Sequence, residues 1–334
     1  MLDDRKAAIL RAVVEEYIQT AQPVGSAHIA RAAAVGVSSA TVRNEMAALE
    51  REGYLVHPHT SAGRVPTDKG YRFFVDHLSP AGTSLPVAHK QRVQEFFAEA
   101  HGELEQMLRD TGRLLSDLTH YAALVVAPRR ERTTVRSVQL VGLGGRTALA
   151  VAVLANGAVQ KAVVDMDTDT SDDRVARAGA HLAAHLVGRG LADEAPLPPS
   201  GDDGIDRLAA AASESLRQPP EQESVFVGGT AQMAAMFDAV EKVRQVLAIL
   251  EQQFVVVGLL REALHEDRLS VSIGTEHGVA PLADCSLVVA PYDTDGSDAG
   301  TIGVLGPTRM NYAQAMAAVA VVSQQLGRHL RDGT

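Results

Sequence analysis

The sequence predicts an α+β, multidomain protein: a small N-terminal head of helices and a hairpin, then a larger antiparallel-sheet domain interrupted by a mostly helical segment. Three observations carry this. The 334 residues exceed what one hydrophobic core usually organises. The first 78 residues alternate helically spaced apolar positions with Gly- and Pro-marked breaks. Strand signals then fall in two blocks, 135–165 and 269–305, with alanine-rich helical sequence between them.

In the head, Ile9, Leu10, Val13, Val14, Tyr17 and Ile18 recur at helical spacing between Arg5 and Gln19, with Arg11, Glu15 and Glu16 among them, which predicts an amphipathic helix. Pro23, Val24 and Gly25 stop it, and Ser26 can cap a short helix through Ala33. Gly36 supplies a tight turn. Ser38 or Ser39 caps a third helix reaching Arg51, and Gly53 follows it as a C-terminal glycine. This order predicts a helix-turn-helix. Tyr54, Leu55 and Val56 read as a strand, His57 to Gly63 as a turn-rich loop, and Arg64 and Val65 as the returning strand of a small wing. Thr67 can cap a further helix from Asp68 to His77, which closes a head of residues 1–78.

Residues 79–120 read as a linker and connecting helix, with Phe96, Phe97, Leu104, Leu108, Leu114 and Leu118 in helical phase. Val135–Leu143, Ala148–Leu154 and Ala158–Asp165 form a predicted meander, broken at Gly142, Gly144, Gly145 and Gly157. Helical patterns follow from Asp172 to Arg189, from Ile205 to Leu216 and from Thr230 to Leu264, with a break at Pro196–Pro199. Strand signals return at Leu269–Gly274, Ser286–Pro291 and Thr301–Leu305, before a final amphipathic helix from Met310 to Leu330. The expectation is one discontinuous sheet domain, 121–167 plus 266–334, enclosing an insertion at 168–265.

Charge is unevenly distributed. The net charge is -10, yet residues 1–77 hold nine basic and nine acidic residues, so the acidic excess lies outside the head. An acidic body repels random DNA and leaves binding to a small, shaped surface. Cys285 is the single cysteine, which rules out an internal disulfide and fits a reducing cytoplasm. Apolar runs such as Ala122–Ala127 fall short of the ~20 residues of a membrane span, and Met1-Leu2-Asp3-Asp4 does not open a secretory signal. A cytoplasmic protein without a membrane partner is expected.

On the third helix, Val42, Met46 and Leu49 share one side and are expected to pack inward. Helical phase then turns Ala40, Asn44, Ala47 and Arg51 outward, flanked by Thr41 and Arg43. Such a face suits a DNA major groove, where Arg bonds guanine twice, Asn bonds adenine twice, and alanines permit close approach. Ser38 and Ser39 at the helix start can hold phosphate. The wing adds His57, His59, Thr60, Ser61 and Arg64, with Lys69 and Arg72 behind it. Arg43 and Asn44 are expected to read bases, and Arg64 and Lys69 to anchor phosphate.

Other constellations do not reach chemistry. His181 and His185 have the spacing for sharing a metal, but Leu182 stands where a zinc-protease helix carries Glu. Gly142, Gly144 and Gly145 precede a strand where a dinucleotide loop needs a helix. Cys285, Ser286 and Asp284 have no nearby His. No enzyme activity, metal or cofactor is expected.

Four runs stand out: Val37-Ser38-Ser39-Ala40-Thr41-Val42-Arg43-Asn44-Glu45-Met46-Ala47-Ala48-Leu49-Glu50, the stretch Pro58 to Arg72 (PHTSAGRVPTDKGYR), Ser272-Ile273-Gly274-Thr275-Glu276, and Gly303 to Tyr312 (GVLGPTRMNY). They resemble the heat-inducible repressor family HrcA. The resemblance spans the whole chain. It implies a winged-helix head, a GAF-like sheet domain and an inserted dimerisation domain. It also implies repression of chaperone operons by a homodimer on an inverted-repeat, double-stranded operator called CIRCE, assisted by the chaperonin GroEL. The alternative is a ligand-gated metabolic repressor of the DeoR kind, whose body would be built around a parallel sheet.

Overall fold

The computed structural model describes residues 2–31, 36–58, 63–78, 84–100, 103–128, 134–155, 157–166, 170–191, 193, 196–217, 224–237, 239–264, 268–292 and 300–332. The head opens with α1 (Asp4–Thr20), capped by the Asp3 carboxylate, which accepts from the Lys6 amide at 2.8 Å. Then come α2 (Ser26–Ile29), α3 (Ser39–Arg51), the antiparallel strands β1 (Leu55–Val56) and β2 (Val65–Pro66), and α4 (Asp68–Asp76). Ile9, Leu10, Val13 and Val14 of α1 pack with Val42, Met46 and Leu49 of α3 and with Tyr71 and Phe74 of α4. Each such side chain, fully buried, contributes about 1.5–3 kcal/mol. The predicted end of the second helix at Ala33 lies outside the described residues; the described helix ends at Ile29.

Helices α5 (Val87–Glu99) and α6 (Leu104–Thr119) lead into β3 (Ala122–Val126). Strands β7 (Val225–Gly228), β8 (Ser270–Ile273), β9 (Cys285–Tyr292) and β10 (Gly300–Pro307) join β3 in an antiparallel five-stranded sheet of order β7-β3-β10-β9-β8. Between β7 and β8 the chain forms α9 (Thr230–Ala234), α10 (Val240–Leu250) and α11 (Gln253–Ala263). Helix α12 (Tyr312–Asp332) and α6 cover one face, where Ala123, Val125, Val288, Ile302 and Val304 point. Helices α10 and α11 cover the other, over Leu124, Leu287, Val289 and Leu305.

A second unit stands apart in topology. Strands β4 (Val135–Gly144), β5 (Thr147–Leu154) and β6 (Val159–Asp165) form their own antiparallel meander, covered on one face by α7 (Asp172–Leu186) and α8 (Asp203–Arg217). This corrects the expected division. The strands at 135–165 do not share a sheet with those at 269–305, and the segment 168–265 is not one insertion: α7 and α8 belong with β4–β6, whereas β7, α10 and α11 belong to the five-stranded sheet. The physical reason is locality. Gly144 and Gly145, at φ +95° and +61°, close a tight turn that pairs β4 with its neighbour in sequence, whereas the wholly apolar β3 needs helices on both faces.

Among the described residues, no single helix is long and apolar enough to cross a membrane.

Candidate nucleic-acid interface

Helix α3 begins because Ser38 accepts from the Thr41 amide at 3.2 Å, and the two hydroxyls lie 3.0 Å apart. The Ser39 hydroxyl lies 3.3 Å from that of Ser26, which stitches the starts of α2 and α3 together. With Val42, Met46 and Leu49 buried, Ala40, Arg43, Asn44 and Arg51 are exposed, and Thr41 and Ala47 are half-buried beside them. Among the described residues Arg43, Asn44 and Arg51 have no side-chain hydrogen bond or ion pair, so their donors remain available. Arg51 joins Arg43 and Asn44 as a free donor at the far end of the same helix.

The residues around the wing are tied differently. Arg64 exchanges backbone hydrogen bonds with Val24 at 2.9 Å, and its Nε donates to Glu50 of α3 at 2.8 Å. Lys69 donates to the Glu52 carbonyl at 2.9 Å and lies over the Tyr54 ring, 4.3 Å from its centre. Arg72 faces the body of the protein. Its Nε and Nη2 both donate to Glu276, Nη2 reaches the Val271 carbonyl at 2.7 Å, and Nη1 pairs with Asp76 at 3.4 Å. Its place behind the wing in sequence therefore does not give it a free phosphate-binding head. His59, Thr60 and Ser61 lie outside the described residues, and His57 is half-buried.

Electrostatics single out the Arg72–Glu276 contact. Burial pulls the Glu276 carboxyl upward, but hydrogen bonds from Arg72 and the Ile273 amide, with the Arg72 and His277 charges, outweigh it and hold the group below its ordinary value. The hydrogen bond to Glu276 raises Arg72 in turn. Elsewhere, burial and then the neighbouring Asp284 push the Cys285 thiol up to about 12, which leaves it an unreactive core group. The His181 and His185 rings meet edge-on at 4.8 Å, and a His181 ring nitrogen lies 2.9 Å from the Pro198 carbonyl. No group of three or more metal-ligating side chains occurs among the described residues.

The family described as HrcA protein C terminal domain matches residues 105–316, well over half of the chain. The chain belongs to the HrcA family. A heat-inducible transcription repressor HrcA of Nocardia farcinica is 39% identical over 341 residues, covering 99% of this chain and 97% of that protein. That of Thermobifida fusca is 40% identical over 339 residues, with the same coverage. These HrcA matches include the head, which the family match does not reach. A crystal structure described as that of a hypothetical protein covers 100% of both chains with a TM-score of 0.71 at 23% identity, which establishes a shared fold. Membership of HrcA places the chain among transcription repressors of the heat-shock response.

Proposed function

We propose that this chain represses heat-shock chaperone operons by binding a CIRCE-type inverted repeat as a homodimer, with each winged-helix head laying α3 in a major groove. The observation that carries the reading is the exposed, unpartnered pair Arg43 and Asn44, set opposite the buried Val42, Met46 and Leu49. Arg43 and Asn44 read base edges, while Ala40 and Ala47 let the helix approach. Ser38, Ser39 and Thr41 meet phosphate at the helix start. Arg64 and Lys69 each have donors left after their internal bonds and anchor the backbone beside the wing residues His59, Thr60 and Ser61.

Two heads are needed because one reads too few bases, and half-sites lie near whole turns of about 10.5 base pairs to share one side of the duplex. The surface that suits self-association is the uncovered face of the β4–β6 sheet. Val141, Leu149 and Val163 stand opposite one another across the three strands, and Val141 and Val163 are 46% and 61% exposed. The apolar row is continuous and faces away from α7 and α8.

Folding gives a route for chaperonin control in the cytoplasm. Strand β3 pairs with β10, Ala122 with Leu305, so the central pair of the main sheet closes only after most of the chain exists. Such closure is slow and exposes apolar edges meanwhile. GroEL occupied by heat-damaged clients then lowers the pool of active repressor. A ligand-gated repressor of the DeoR kind fits less well, since every pairing between the named strands is antiparallel. DNase footprinting upstream of the host's chaperone genes tests operator binding; the expected result is symmetric protection of two half-sites. Refolding from denaturant with and without chaperonin and ATP, scored by operator binding, tests the control. Full, rapid recovery without chaperonin through heat-shock temperature contradicts it.

A further inference from the structure

Two of the stretches that carry the family resemblance, one ending at Arg72 and one spanning Ser272–Glu276, lie about 200 residues apart and meet in space. Asp68, in the first turn of α4, accepts from both the amide and the hydroxyl of Thr275, each at 3.2 Å. One turn later Arg72 grips both carboxylate oxygens of Glu276 and the Val271 carbonyl of β8. The Ile273 amide donates to the same carboxylate at 2.8 Å, so Glu276 is held from its own loop as well as from the head. Between the two contacts lies Gly274, at φ +56°, where an added Cβ would collide with the Asp68 carboxylate as it stands, so a glycine here favours the approach.

The contact is polar at the Ser272–Glu276 stretch, and beside it the buried rings of Tyr71 and Tyr312 meet 5.8 Å apart, so head and body also share apolar packing. Arg72 and Glu276 keep 32% and 35% of their side-chain surface in water, whereas the α1–α3–α4 core is nearly sealed. Helix α4 therefore meets the body through a sealed aromatic contact and a partly hydrated, directional polar one. A cavity of about 600 Å³ lined by Arg72, Asp76, Glu262 and Glu276 adjoins the contact.

We propose that Asp68, Arg72, Thr275 and Glu276 are positioning residues that fix the direction in which each head presents α3, and thereby the half-site spacing that the dimer accepts. The inference rests on the reading of a dimer on an inverted repeat. On that reading DNA is touched by α3, the wing and Lys69 at the start of α4, whereas Asp68 and Arg72 face the body and act through them. Because a shift of two base pairs rotates one half-site by about 70° around the duplex, a held head discriminates sharply between spacings, and a released head does not.

The test is fluorescence anisotropy of the full chain with inverted-repeat DNA from upstream of the host's chaperone genes. The duplexes carry the native spacing, spacings altered by about two base pairs, or one half-site alone. The double variant Asp68→Asn, Glu276→Gln is expected to bind the single half-site within about twofold of the unsubstituted protein, to lose about tenfold on the native spacing, and to flatten the spacing profile. The exchange Arg72→Glu with Glu276→Arg is expected to restore part of the discrimination, which loss of a phosphate contact at Arg72 would not allow. If the folded double variant keeps the spacing profile of the unsubstituted protein, the positioning role is overturned. Unsubstituted protein that prefers two half-sites no more than one overturns the dimeric-operator reading, and this inference with it.

Discussion

Arg64 and Glu50 form a half-buried ion pair, Nε to Oε2 at 2.8 Å, that fastens the returning strand of the wing to the last turn of α3. The backbone of Arg64 is already held by Val24, so little freedom is left to lose when the pair forms. The chain at Arg64 is thereby tied both to Val24 and to α3.

Glu50→Gln tests this coupling by its sign. Removing a negative charge close to DNA strengthens binding through the phosphate field alone. If the pair instead sets the wing against α3, binding weakens by about threefold to tenfold, a cost of order 1 kcal/mol. Titration of the operator at two salt concentrations separates the outcomes, and tighter binding by the variant would show that Arg64 serves phosphate only.

Arg43→Ala and Lys69→Ala are expected to leave different signatures. Loss of a base-reading arginine costs about 1–3 kcal/mol on cognate DNA and relaxes discrimination at one position, whereas loss of a phosphate-anchoring lysine weakens all sequences and lowers the salt slope by about one. Equal losses on cognate and random duplexes for Arg43→Ala would remove it from base recognition.

Val163→Glu is expected to separate the protomers. The position is 61% exposed on β6, so the fold tolerates a carboxylate, while an apolar interface built on Val141, Leu149 and Val163 does not. Light scattering should report a monomer and operator affinity should fall with it. A dimer of unchanged stability would place the interface elsewhere.

Acid is expected to loosen the head from the body. The Glu276 carboxyl lies below its ordinary value when folded, so its contribution is present above the unfolded value and is lost as pH falls through the folded one. The groups facing it are Arg72, Asp76 and Asp68 on α4, His277 beside it, and Glu262 of α11 across the cavity. Tm measured from neutral pH down through the carboxylate range should decline less steeply for Glu276→Gln than for the unsubstituted protein; parallel curves would show that other carboxylates carry the acid limb.

Much of the head was legible in the sequence because its signals are local. Ser38 and Thr67 cap α3 and α4 as their positions predict, and Gly36 and Gly53 adopt the positive φ their places require, +57° and +80°. Caps, turns and helical phase involve residues three or four apart, so the sequence contains both partners. The two sheets could not be told apart that way. The run Ala122–Val126 is apolar throughout and has no period to report; that it is the second strand of a five-stranded sheet, between β7 and β10, depends on partners about a hundred and about 180 residues further on. The same holds for Arg72. By sequence alone it is a cation behind the wing, and whether it faces a phosphate or Glu276 is decided by where the fold places a carboxylate 204 residues away.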